Sequence, residues 1–145
     1  MKLRDPGARL QPIGDKPLRG RTFSAARLTF RPGLGTPDDW YILYRDRITG
    51  RLAAMAYIVT YGKTRQQAER EPHAVTFHDF LTISGVQVPT AWKFWTWHPD
   101  RGIEGVPLGD ARLGAVRFVT PDPAAFSRPP NSRKDTLPVH GGGGE

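Results

Sequence analysis

The stretch AWKFWTWHP, Ala91 to Pro99, holds three of the chain's four tryptophans within six residues. Read as a strand, it sends successive side chains to opposite faces: Trp92, Phe94, Thr96 and His98 to one, Lys93, Trp95 and Trp97 to the other. Both faces are then largely aromatic. An antiparallel strand with one solvated face alternates apolar with polar, so aromatics on both sides require cover on each side. That cover comes from the protein's own core, from a partner or from a ligand. Trp92 shares its face with Phe94 and Thr96 and is assigned to the core. Trp95 and Trp97 alternate with these and flank Lys93, whose stem can lie along apolar surface while its charge reaches water. Together with His98 at the strand end they are the candidate ligand-binding residues.

Working outward, 16 glycines and 14 prolines divide the chain into short segments, a pattern of turns between strands. Ala25–Phe30 and Trp40–Arg45 read as strands. Asp46-Arg47-Ile48-Thr49-Gly50 reads as a type I turn closed by a left-handed glycine, and Arg51–Tyr61 as the return strand. Lys63–Glu71 is the one candidate for a short helix, stopped by Pro72. Val75–Ile83 alternates with period two, and Ser84-Gly85 turns it into Val86–Trp97, with Pro89 near that strand's start. A long loop follows from His98 to Gly109, then a last strand from Arg112 to Val119. The fold class expected is mainly β: an antiparallel meander of about six strands with at most one short helix, consecutive strands lying side by side. The expected domain limits are a basic flexible lead-in over 1–18, a β domain over 19–120, and a Pro/Gly-rich tail over 121–145 with a disordered end.

At 145 residues and 38% hydrophobic content the chain supports one core. It has no cysteine, which excludes disulfides, thiolate metal sites and cysteine nucleophiles. No apolar run approaches the roughly 18 residues of a membrane span, and Asp5, Pro6, Gly7 and Arg9 interrupt any signal-peptide core. The net charge of +7 is local, since residues 1–36 carry eight basic and two acidic side chains. Such an arm suits phosphate or anionic lipid, yet it forms no nucleic-acid module, and a nucleic-acid partner is not expected.

Candidate chemistry is sparse. His78 and Asp79, adjacent on a strand, are expected to point to opposite faces and so form no dyad. His73 and His78 lie about 16 Å apart in an extended chain, too far to share a zinc. Asp38-Asp39 precedes a strand, where carboxylates cap turns. Gly33-Leu34-Gly35 is too short for a dinucleotide loop, and Ser84 sits in a turn rather than a nucleophile elbow. His98 and Asp100 flank Pro99 and are expected to stabilise a turn. No catalytic residue, metal site or cofactor is assigned.

Several motifs in order, Pro37-Asp38-Asp39-Trp40-Tyr41-Ile42-Leu43-Tyr44, Arg47-Ile48-Thr49-Gly50-Arg51-Leu52, Tyr57-Ile58-Val59-Thr60-Tyr61-Gly62, Ile83-Ser84-Gly85-Val86-Gln87-Val88-Pro89-Thr90, and Leu108-Gly109-Asp110-Ala111 running to Val116-Arg117-Phe118-Val119, resemble the C-terminal part of bacterial envelope proteins related to the Lol-type lipoprotein carriers. The resemblance covers about Arg19 to Pro138. It implies a strongly curved sheet, an incomplete barrel, whose apolar concave face holds acyl chains, in the bacterial periplasm or envelope. The export signal, extra strands and lid helices of that superfamily have no counterpart in this sequence. The expected function is non-enzymatic binding of an apolar ligand or lipid. The alternative is an interaction module whose apolar sheet face pairs with another chain, a second copy or a missing N-terminal half.

Overall fold

The computed structural model describes residues 6–33 and 36–133. Leu34 and Gly35 of the short glycine loop, and the terminal glycine run, lie outside the described residues. Seven strands form one antiparallel sheet in the order of the chain: β1 (Ala8–Leu18), β2 (Arg21–Phe30), β3 (Tyr41–Arg45), β4 (Leu52–Tyr57), β5 (His73–Ile83), β6 (Val86–His98) and β7 (Gly102–Arg112). The meander is as expected. One helical turn, α1 (Arg65–Ala68), interrupts it, opened by a capping box between Thr64 and Gln67.

The turns follow local chemistry. At the β3–β4 hairpin the Asp46 carboxylate accepts the backbone N–H groups of Ile48 and Thr49 at 3.0 and 2.8 Å, and Gly50 closes the turn at φ +70°. Arg21 Nη2 completes the cage at 2.6 Å. These donors, the Thr49 N–H first, hold the Asp46 carboxyl below its usual pKa. Two further hairpins, Arg19-Gly20 and Ser84-Gly85, place both central residues at positive φ, the geometry whose twist matches paired strands.

The first of those hairpins corrects the lead-in. Residues 8–18 are not a loose arm but a full strand, paired with β2 from Ala8↔Phe30 to Leu18↔Arg21. Its prolines and glycine disguise it, because Pro12, Gly14 and Pro17 sit where only one edge of the strand is paired. The register shifts between Pro12 and Gly14, leaving Ile13 as an extra residue that packs on the core. Ala53 does the same in β4, where the register shifts beside Tyr44 and Arg45. Each bulge turns an apolar side chain inward and sharpens the local bend.

The last strand also differs from the expectation. The segment read as a loop, Gly102 onward, is β7, and the expected strand 112–119 ends almost as it begins. Leu113 N–H donates to the Thr90 carbonyl at 2.8 Å; Ala115 then turns to φ +48° and pairing stops. Within β7, Glu104 faces Thr96 while Gly109 faces Phe94. Residues 105–108 therefore bulge out opposite Trp95 alone, which leaves Val106 and Leu108 exposed. The glycines and proline of this segment read as loop punctuation, but they build a wide bulge inside a strand.

Register sorts the side chains into two faces. Ala25, Tyr44, Ala54, Thr76 and Lys93 share the inner one; Ala26, Leu43, Met55, Val75 and Phe94 share the outer one. The core lies on the inner face, where Phe23, Trp40, Tyr44 and Trp97 fill space left by Ala25, Ala54, Ala56 and Ala74. Small residues facing large ones let a curved sheet fill its interior. Trp97 Nε1 donates to Tyr44 Oη at 3.0 Å, joining β6 to β3. Trp40 and Phe23 extend this line edge-on, with ring centroids 5.7 Å from Trp97 and 6.5 Å from Tyr44. Burial pushes the Tyr44 pKa up; the bond from Trp97 opposes this shift. The sheet does not close by hydrogen bonds, although Leu18 Cδ1 comes within 3.4 Å of where a Cβ on Gly102 would lie.

Two outcomes test this packing. Trp97→Phe and Tyr44→Phe each leave one buried polar group unpaired and are expected to cost about 1–3 kcal/mol in chemical denaturation. The double variant should cost less than the sum, and strict additivity would show that the bond contributes nothing. Deleting residues 1–18 should abolish cooperative unfolding, because it uncovers the whole β2 edge and removes Leu18 from the core; an unchanged thermal midpoint would return residues 8–18 to the status of an arm.

Candidate functional site

The aromatic strand presents its faces the other way round from the assignment made on sequence. Trp95 and Trp97 are 5% and 4% exposed and belong to the interior, whereas Trp92 is only half-buried. Trp92 stands on the outer face opposite Phe77, edge-on at 5.9 Å, with its Nε1 donating to the Pro89 carbonyl. The cause is tertiary: Trp95 and Trp97 are on the face that carries Thr76 and Tyr44, to which their Nε1 groups donate. Arg19, from the β1–β2 hairpin, lays its guanidinium 4.4 Å from the Trp95 ring centroid, a cation–π contact that covers the indole.

His98 holds the turn into β7, its Nδ1 accepting the Asp100 N–H at 3.2 Å. Asp39 likewise serves the backbone, accepting from Thr60 N–H at 2.9 Å and from Thr60 Oγ1 at 2.7 Å. Of the four candidate ligand residues Trp95 and Trp97 are buried, His98 is half-buried and Lys93 is exposed. It has no hydrogen-bond or ion-pair partner among the described residues.

Two surface features remain open to a ligand. The first is apolar. Along the outer face, register aligns Ala26, Leu43, Met55, Val75 and Phe94 across β2 to β6. A parallel row, Leu28, Tyr41, Tyr57 and His73, lies beside it, with Tyr57 stacked on His73 at 6.3 Å. At its β1–β4 end the first row opens into a groove of about 360 Å³ lined by Leu10, Pro12, Ala26, Leu43 and Leu52, with Arg45 at its side. Alternation predicts a polar outer face for a filled curved sheet, and these rows depart from it. The sequence signal is there: β4 reads Leu-Ala-Ala-Met-Ala-Tyr with no polar residue.

The second feature is polar. A cleft of about 220 Å³ is lined by His78, Asp79, Ala91, Trp92, Lys93, Asp110 and Arg112. Sequence reasoning set His78 and Asp79 on opposite faces, but both line this cleft, because Asp79 adopts φ +51° and breaks the pleat. Asp79 accepts from Arg112 Nη1 at 3.3 Å. Trp95 Nε1, which can only donate, gives its hydrogen to the buried Thr76 Oγ1 at 3.0 Å. Thr76 Oγ1 lies 2.8 Å from His78 Nε2. Donation of its one hydroxyl proton to that nitrogen goes with a neutral ring whose proton is on Nδ1. Burial, and then the positive charge of Lys93, pull the His78 pKa below its usual value, against a smaller opposite pull from Asp79.

A histidine with a lowered folded-state pKa binds fewer protons folded than unfolded, so its contribution to stability is lost as pH falls through the unfolded value of about 6.5. Imidazole NMR should place the His78 midpoint below that value, and Lys93→Met should raise it. A midpoint that ignores the substitution would show that Lys93 does not face the ring.

Comparison of the chain with protein-family models, with curated proteins and with solved structures returns no match, so the reading of its function rests on the geometry above.

Proposed function

We propose that this chain is a non-enzymatic β domain of the lipoprotein-carrier type that holds an acyl chain on the outer face of its sheet. The observation that carries the reading is the apolar row from Ala26 through Leu43, Met55 and Val75 to Phe94, which opens into the Leu10–Leu52 groove. A linear hydrocarbon suits a linear row that crosses strands. The groove volume, about 360 Å³, sits at the small end of the roughly 300–1,000 Å³ range of ligand sites. Arg45 lines the groove, and its Nε donates to the Gly50 carbonyl at 3.3 Å, which leaves guanidinium donors for an anionic headgroup. The resemblance to Lol-type carriers favours the same ligand class and the bacterial envelope as its setting. It differs in one respect: in this chain the inner face is filled by Trp97, Tyr44 and their neighbours, so the ligand takes the other face.

A fluorescent fatty acid with a dansyl reporter tests the reading. The protein should bind it saturably, and Leu43→Asp should weaken binding by at least about tenfold, the equivalent of roughly 1.4 kcal/mol. Ile48→Asp, on the exposed tip of the β3–β4 hairpin, should leave it unchanged. A monomer by light scattering that fails to bind the probe would sink the proposal. A dimer that Leu43→Asp dissociates would assign the row to chain–chain contact instead.

A further inference from the structure

The polar cleft is a second site, on the opposite face of the sheet from the acyl groove and independent of it. Register makes it a small grid. Thr76 lies beside Lys93 and Lys93 beside Asp110; the next row inward-facing is His78 beside Ala91 and Ala91 beside Arg112. Ala91 brings only a methyl group to the middle of long polar side chains, so a hollow forms above it by side-chain length alone. Around that hollow stand three nitrogen donors. Lys93 Nζ has no hydrogen-bond or ion-pair partner among the described residues. With Thr76 donating to its Nε2, His78 carries its N–H on Nδ1, a nitrogen that is likewise unpartnered among the described residues. Arg112 is held at the margin by Asp79 at 3.3 Å.

We infer that this cleft binds a small monoanionic carboxylate, its oxygens on Lys93 Nζ and His78 Nδ1–H and its apolar body over the Ala91 methyl. The charge balance selects the class. Lys93 and Arg112 are offset by Asp79 and Asp110, and His78 is neutral, so the lining carries no net charge. One negative charge is accommodated by two donors, whereas the second charge of a phosphate dianion meets Asp79 and Asp110. The left-handed backbone of Asp79, uncommon for a residue with a Cβ, serves the same end: it brings the carboxylate that anchors Arg112 to the cleft side. Groups as exposed as these bind weakly, so millimolar affinity is expected.

NMR of the imidazole and indole signals at pH 7 and constant ionic strength tests the inference with acetate as the probe. Acetate should give saturable shifts at His78 and at the Trp95 indole, which Thr76 joins to it on the same face. Ala91→Leu fills the hollow without altering any charge and should weaken binding at least about fivefold. Lys93→Gln should weaken it by a similar factor, the loss expected for one exposed charged contact. Circular dichroism establishes that each variant is folded, and Ala91→Val takes the place of the leucine variant if that one is not. Shifts that do not saturate, an equal response to chloride, tighter binding of phosphate than of acetate, or undiminished binding by a folded Ala91 variant would each overturn the inference.

Discussion

The hydrogen bond from Trp97 Nε1 to Tyr44 Oη, 3.0 Å long and buried, ties together two strands that are not neighbours in the sheet. A meander makes contacts only between consecutive strands, so nothing in its ladders forces β6 to approach β3. The bond and the rings beside it do so. Trp40 and Phe23 pack edge-on against its two ends, and the alanines of β2, β4 and β5 give the rings room. Curvature therefore follows from a line of large side chains laid across small ones. The bulges at Ile13 and Ala53 supply bend where the sheet must turn and add two more apolar groups to the same core.

A sheet that curves without closing keeps two free edges, and free edges invite pairing with other chains. Both are blunted. β1 carries Pro12, Lys16 and Pro17, and β7 carries the bulge of residues 105–108 around Pro107. Proline removes a donor and a bulge twists the ladder away. The ends approach each other near Leu18 and Gly102, where Arg19 also reaches over Trp95. That corner acts as a clasp of side chains, in place of a ladder.

The two surface features follow from where the core stops. On the inner face, aromatic filling ends at Trp95, and the polar grid of Lys93, His78 and Arg112 begins one residue pair further along β5–β7. Thr76 is the boundary, since its hydroxyl binds the buried indole on one side and the solvent-facing imidazole on the other. The outer face never becomes polar in the middle of the sheet. Leu28 and Val75 are buried there although they belong to no part of the main core, which sets this face apart from an ordinary solvated one.

The sequence by itself determined the elements whose causes are local. Period-two alternation located β3, β5 and most of β6; Asp46 to Gly50 specified its turn, closed by a left-handed glycine; the polar run Lys63 to Glu71 before Pro72 located the α-helical turn. Aromatics on both sides of AWKFWTWHP also announced that both faces of the strand need cover. Tertiary structure decided everything that depends on partners distant in the chain. β1 is a strand because β2 pairs with it, in spite of its prolines. β7 is a strand because β6 tolerates a wide bulge. Trp95 and Trp97 are interior because Thr76 and Tyr44 lie on their side, and no alternation pattern encodes which side that is: a strand's two faces are equivalent until the sheet curves. His78 and Asp79 share a cleft because Asp79 adopts a positive φ, with its carboxylate on Arg112 and its carbonyl accepting from Thr90 Oγ1 across the sheet, contacts invisible in the run of residues from which they arise.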